Sequence, residues 1–89
     1  MAKILKADGT TAELAGTGKG GRLTLEEMQK AVGGYVEICL VKGGQLVVNE
    51  DGIPLGLPVN EAATNLYVEK YGGGRIFGDA VYCAGRTLR

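Results

Sequence analysis

Apolar and polar residues alternate along the stretch YVEICLV, residues 35–41. Successive side chains of an extended chain point to opposite faces. One face therefore carries Val36, Ile38 and Leu40, and the other carries the charged Glu37. This alternation predicts a half-buried β-strand.

A glycine pair at positions 43–44 separates this strand from a second apolar run, LVVN. The pair matches a two-residue hairpin turn, so LVVN is expected to return as the antiparallel partner strand. The register set by such a turn places Glu37 opposite Glu50, and like charges directly across a strand pair are unfavourable. Either the register changes near Asn49, where NEDG favours a turn, or the two carboxylates share a site that a ligand or cation relieves.

The segment RLTLEEMQKAVGG has the signals of a helix with a defined start. Thr24 and Glu27 form the S/T-x-x-E spacing of a capping box. Leu25, Met28 and Val32 recur at helical spacing and are expected to form the buried face. A glycine follows directly, which is the residue that commonly ends a helix.

The remaining chain predicts four further elements. AKILKA and TAEL indicate two short strands joined by a DGT turn, and Asn60 is expected to cap a second helix that ends at Gly72. RIFGDAVYCAG, residues 75–85, is the longest apolar run and is expected to be a central strand. The order ββ-α-ββ-α-β predicts an α+β fold, a mainly antiparallel sheet with two helices, and we expect residues 1–89 to form a single domain.

The amino-acid composition argues against several classes of function. Lys+Arg and Asp+Glu both number 10, so no net field attracts bulk nucleic acid or an anionic membrane. With no histidine and only two cysteines, the chain lacks the ligands of a structural zinc site and the base of a Ser–His or Cys–His nucleophile. The N-terminus shows no long apolar region, so we expect neither a signal peptide nor a membrane span. A chain of this length buries a modest core, and we expect a homo-oligomer.

The glycine-rich stretch AGTGKGGRLTLEEM, residues 15–28, is similar to a phosphate-binding loop at first sight. It lacks the Walker spacing, and although three of its glycines match G-x-G-x-x-G, the helix is expected to begin at Thr24, beyond all of them. We therefore interpret AGTGKGG as a flexible lead-in to the helix. Lys19 and Arg22 remain candidates for the rim of an anion site.

Four short blocks of the chain, taken together, resemble a known family of proteins. They are VGGYVE, VVNEDG, LPVNEAAT and GDAV, which lie in that order between residues 32 and 81. The chain resembles a family of small domains of uncharacterised function encoded by phages and mobile elements. That resemblance implies a phage accessory protein in the cytoplasm of a bacterial host, where proteins of this kind commonly antagonise a host system by binding.

The polar positions within these blocks form the candidate ligand site, and Lys19 and Arg22 are its possible rim. The candidate residues are Tyr35, Glu37, Asn49, Glu50, Asn60 and Thr64. Tyr35 can stack on a base, and Glu37 can accept a hydrogen bond from an amine or hydroxyl. Asn60 and Thr64 lie one helical turn apart on the same face of the second helix. Each residue also has a structural explanation, such as helix capping by Asn60.

The leading hypothesis is a non-catalytic protein that sequesters a small nucleotide-like signal and so counters host defence. The alternative is a protein–protein inhibitor of a host defence or metabolic enzyme, and a structural accessory protein is a third possibility. We assign no catalytic residue, metal ligand or cofactor, and expect the partner to be a small ligand or a host protein.

Overall fold

The computed structural model describes residues 2–84 of the chain. The strands are β1 (Ala2–Leu5), β2 (Thr11–Leu14), β3 (Val36–Val41), β4 (Gly44–Asn49) and β5 (Ala80–Ala84). The helices are α1 (Leu25–Val32) and α2 (Glu61–Tyr71), and a short 3₁₀ turn covers Lys19–Gly21. The predicted α+β class and the order ββ-α-ββ-α-β are confirmed. Neither α-helix within residues 2–84 combines the length and the apolar character needed to cross a membrane.

All five strands form one antiparallel sheet in the order β2-β1-β5-β4-β3. The last strand therefore lies in the centre, as its apolar run predicts. It begins at Ala80 and not at residue 75, because Gly78 adopts a positive φ of 84° and Asp79 turns aside to accept a hydrogen bond from the Ala7 N–H. Phe77 makes only an isolated bridge to Val59.

The two helices cover opposite faces of this sheet. One apolar cluster joins Met28 of α1 to Val47 and Val81, and the other joins Ala63 of α2 to Leu46. Leu46 and Val47 are neighbours in β4, so their side chains point to opposite faces. The sheet is therefore the middle of three layers, with α1 on one side and α2 on the other.

The start of α1 is capped as its sequence predicts. The Glu27 N–H donates to the Thr24 hydroxyl, and the Thr24 N–H donates to the Glu27 carboxylate at 2.8 Å. Met28 is buried, but the expectation that Leu25 joins the buried face is wrong, since Leu25 is 51% exposed. Leu23, from the segment before the helix, is instead buried in the cluster beneath α1.

The β3–β4 hairpin differs from the register that its glycine pair predicts. Val41 pairs with Gly44, so the two turn residues are Lys42 and Gly43, and Gly43 takes the left-handed conformation with a φ of 81°. Gly44 already belongs to β4, where a side chain would collide with the backbone of β5. The shift places Glu37 opposite Val48, so the predicted opposition of Glu37 and Glu50 is wrong.

The glycine-rich segment before α1 is tied to that helix. The Thr17 N–H donates to both carboxylate oxygens of Glu27 at 3.1 Å, and the Gly18 N–H donates to the Arg22 carbonyl at 2.8 Å. At Gly16 a side chain would collide with the backbone of Arg22. The sequence suggests a flexible lead-in to the helix, whereas these contacts fold the segment against the helix start.

Candidate functional site

A cleft of about 320 Å³ opens on the α2 face of the sheet, beside the edge strand β3. Its walls are the β3–β4 hairpin, the loop that follows β4, the side of α2 and the segment 74–77. This volume lies at the small end of the range of ligand-binding clefts, which begins at about 300 Å³. The cleft is therefore of a size for a compact ligand.

Charged residues from three separate parts of the chain line the cleft. Glu37 comes from β3, Glu50 from the turn after β4, and Arg75 from the segment after α2. All three residues are exposed. Two carboxylates beside one guanidinium offer hydrogen-bond acceptors for amine or hydroxyl groups and a fork of donors for an anionic group.

Aromatic and aliphatic side chains supply the rest of the wall. Tyr67 and Phe77 are half-buried, whereas Ile53 is 72% exposed at the rim. Tyr67 stacks on Tyr71 one turn further along α2, with ring centroids 4.5 Å apart. The cleft thus combines flat rings with convergent polar groups, which is the usual composition of a small-molecule site.

Gly74 lets the chain pass close to the Tyr67 ring. It has a positive φ of 108°, and a side chain there would lie 2.8 Å from the Tyr67 Cε2. Only glycine meets both conditions without strain. The close passage fixes the start of the segment that carries Arg75 and Phe77.

Cys39 lines the cleft next to Glu37 on the same face of β3. Burial raises the pKa of the Cys39 thiol, and the negative charge of Glu37 raises it further. A thiol with a raised pKa holds its proton at neutral pH and is a poor nucleophile. Cys39 is thus a neutral wall residue.

A family model described as a domain of unknown function, DUF3846, matches residues 2–87. The match spans nearly the whole chain. The chain belongs to the DUF3846 family. No curated protein and no solved structure matches it. The expectation that the chain belongs to a family of uncharacterised function is confirmed.

Three of the six candidate ligand residues predicted from sequence line the cleft of this DUF3846 domain. Glu37, Asn49 and Glu50 are brought together there. Asn49 is buried, and its amide is already engaged, since its Nδ2 donates to the Val32 carbonyl at 2.9 Å and its Oδ1 accepts from the Asp51 N–H. It joins the end of α1 to the turn that carries Glu50.

Asn60 and Thr64 lie behind the cleft wall. Asn60 caps α2 through the Ala63 N–H, and its Nδ2 donates to the carbonyls of Leu5 and Gly78. The Thr64 hydroxyl accepts from the Ile76 N–H at 2.9 Å. Both side chains hold the segment that presents Arg75 and Phe77, so they position the wall without lining it.

Tyr35, Lys19 and Arg22 lie outside the cleft. Tyr35 is 68% exposed, and its carbonyl accepts from the Glu50 N–H at 2.9 Å. Lys19 and Arg22 are exposed beside the start of α1, where the Glu27 carboxylate takes the backbone donors of Thr17 and Thr24. These hydrogen bonds lower the pKa of Glu27. The helix start thus carries an anion of its own.

The wall residues that were not predicted from sequence include Ile53, Tyr67, Arg75 and Phe77. Arg75 and Phe77 were expected at the start of the last strand, within RIFGDAVYCAG. The available signal was the glycine run at 72–74 directly before Arg75, which ends the helix and turns the chain. Within residues 2–84, no group of three His, Cys, Asp or Glu side chains is placed to hold a metal ion.

Proposed function

We propose that this DUF3846 domain is a non-catalytic binding protein for a small nucleotide-like ligand, held in the cleft between β3 and α2. The observation that carries the proposal is the meeting of flat rings, two carboxylates and one guanidinium in about 320 Å³. The rings of Tyr67 and Phe77 offer stacking surface to a base, and Glu37 and Glu50 accept from its amino group or from ribose hydroxyls.

The charges of the cleft narrow the ligand class. Arg75 is the cation among the wall residues, and it offers bidentate donors to one phosphate. Two carboxylates beside it disfavour a chain of phosphates by like-charge repulsion. The size and charge together support a mononucleotide or a cyclic mononucleotide.

The proposal is for binding and not for catalysis. The chain has no histidine, and the Cys39 thiol in the cleft wall has a raised pKa. In this proposal Glu37 and Glu50 recognise the ligand by accepting its hydrogen bonds. The biological role that we propose is that of a phage accessory protein that acts in a bacterial host by sequestering such a signal and so countering host defence.

Titration of nucleotides tests this directly. We expect adenosine or guanosine mononucleotides, or their cyclic forms, to raise the melting temperature, because a ligand at 100 times its Kd adds about 2.7 kcal/mol of stability. Arg75→Ala is expected to weaken the binding of a mononucleotide more than the binding of the corresponding nucleoside. Lys70→Ala, on the exposed end of α2, is the matched control. Equal losses for nucleoside and nucleotide would overturn the role of Arg75.

Protein inhibition remains the second candidate, and one observation favours it. The loop after β4 exposes two large aliphatic side chains, with Ile53 72% and Leu55 59% exposed. Exposed apolar side chains of this kind often mark a protein contact. Absence of any thermal shift across nucleosides, mononucleotides and cyclic nucleotides would overturn ligand binding and favour this candidate.

A further inference from the structure

The outer edge of β3 is open. In the sheet order β2-β1-β5-β4-β3, this strand pairs with β4 on one side, and no strand within residues 2–84 covers its other side. Open edges are usually protected by lysine, proline or very short strands. β3 has six residues, VEICLV, with neither lysine nor proline.

The hydrogen bonds of the hairpin show which backbone groups face outward. Tyr35 lies opposite Glu50 in the hairpin register, and its carbonyl accepts from the Glu50 N–H. Hydrogen-bonded and non-hydrogen-bonded pairs alternate along an antiparallel ladder. Residues 37, 39 and 41 therefore bond inward to β4, and residues 36, 38 and 40 direct their N–H and C=O groups to the open edge.

The same three residues carry apolar side chains on the α1 face. Ile38 is 39% exposed and Leu40 is 57% exposed, although Val36 packs partly against the core beneath α1. The open backbone edge and the exposed aliphatic side chains thus coincide on one strand.

We propose that the outer edge of β3 pairs antiparallel with β3 of a second copy of this chain, about a twofold axis at Ile38. Antiparallel pairing of a strand with its own copy is self-complementary, as a closed dimer requires. The chain has equal numbers of basic and acidic residues, so the two copies carry no net charge to repel each other.

Charge and length select Ile38 as the centre. An axis at Glu37 would set two carboxylates directly opposite each other, which is unfavourable. An axis at Cys39 would draw Lys42 of the turn into the ladder. With the axis at Ile38, Val36 lies opposite the partner's Leu40, and all three outward-facing residues pair.

This pairing doubles the five-stranded sheet and extends the cleft wall. Glu37 and Cys39 lie on the α2 face of β3 and line the cleft. In the paired sheet each Glu37 lies opposite the partner's Cys39, so the clefts of the two copies lie side by side across the axis. The pairing is independent of what the cleft binds.

Cysteine cross-linking tests the register. Directly opposite residues of a hydrogen-bonded pair have Cα atoms about 5.5 Å apart, which suits a disulfide. In a Cys39→Ser background, I38C is expected to form a covalent dimer under mild oxidation. L40C is the matched control, because its two copies would lie roughly 14 Å apart along the strands. Equal cross-linking of both variants would overturn the proposed register.

Measurement of mass tests the dimer itself. Sedimentation equilibrium of the unmodified chain at micromolar concentrations is expected to give twice the chain mass, and Ile38→Lys is expected to give the monomer with an unchanged circular dichroism spectrum. Leu25→Lys, at an exposed site on α1, is the control and should stay dimeric. A monomeric unmodified chain, or loss of the dimer in both variants, would overturn the proposal.

Discussion

The side-chain amide of Asn60 donates to the backbone carbonyl of Leu5, 55 residues earlier, with nitrogen and oxygen 2.6 Å apart. The same nitrogen donates to Gly78, and the side-chain oxygen accepts from Ala63. One fully buried residue therefore connects the end of β1, the start of α2 and the segment before β5.

Replacement of Asn60 by alanine is expected to lower the free energy of unfolding by about 3 kcal/mol, because it removes a helix cap and leaves buried carbonyls without donors. Urea denaturation measures the change. Asn65→Ala, at an exposed position of α2, is the control and should change stability by less than about 0.5 kcal/mol. Asn60→Asp keeps the cap but cannot donate to the carbonyls, so a stable Asn60→Asp protein would contradict the assignment.

Stability in acid is expected to depend on Glu27. Hydrogen bonds from the backbone of Thr24 and then of Thr17 lower the pKa of Glu27 in the folded chain. The unfolded chain then binds the proton more readily, so the contribution of this group is complete above the unfolded pKa and is lost as pH falls through the folded pKa.

Thermal melts between neutral pH and pH 3 check this linkage. Glu27→Gln is expected to lower the melting temperature at neutral pH and to make the melting temperature fall less steeply with acid. Glu26→Gln, in the same first turn of α1, controls for the charge near the helix dipole. Identical acid profiles for the Glu27→Gln variant and the unmodified chain would count against the pKa assignment.

The thiol of Cys39 is expected to react slowly. Burial and the charge of Glu37 raise its pKa, so alkylation by iodoacetamide at neutral pH should be slower than for free cysteine and should increase as the pH rises. Glu37→Gln is expected to speed the reaction at a given pH, whereas Glu69→Gln on α2 should leave it unchanged. A rate that Glu37→Gln does not change would contradict the influence of Glu37.

Neighbouring glycines are expected to differ sharply in their tolerance of alanine. Gly74→Ala introduces a side chain at a positive φ and 2.8 Å from the Tyr67 ring, so we expect a loss of about 1–2 kcal/mol and a weakened cleft. A side chain at Gly73 meets no atom within 4 Å, so Gly73→Ala should be nearly neutral. Chemical denaturation of the two variants side by side checks the difference, and equal stability would contradict the close passage.

Local signals predicted the elements of this fold well. The Thr24 capping box, the Asn60 cap and the β3 strand each depend on residues close together in sequence, and each is present. The apolar face of β3 nevertheless stays largely open, since Ile38 is 39% and Leu40 57% exposed. The order of elements then followed, together with the central place of the last apolar strand.

Registers and distant contacts were beyond these signals. Two adjacent glycines, Gly43 and Gly44, allow more than one turn, and the close approach of β5 to Gly44 decides between them. In the same way Asn60 carried the signal of a cap, but its bonds to Leu5 and Gly78 depend on the tertiary fold. The cleft escaped prediction because its wall joins residues from β3 to the segment after α2, and no single stretch of sequence contains that wall.

The place of β5 bears on how the chain becomes folded. Among the described residues 2–84, the β1–β2 hairpin and the β3–β4 hairpin are joined in the sheet through β5, which pairs with β1 on one side and β4 on the other. During synthesis both hairpins leave the ribosome before the strand that joins them. The two halves of the sheet can therefore join only after residues 80–84 have been synthesised, so assembly of the sheet follows the formation of both hairpins.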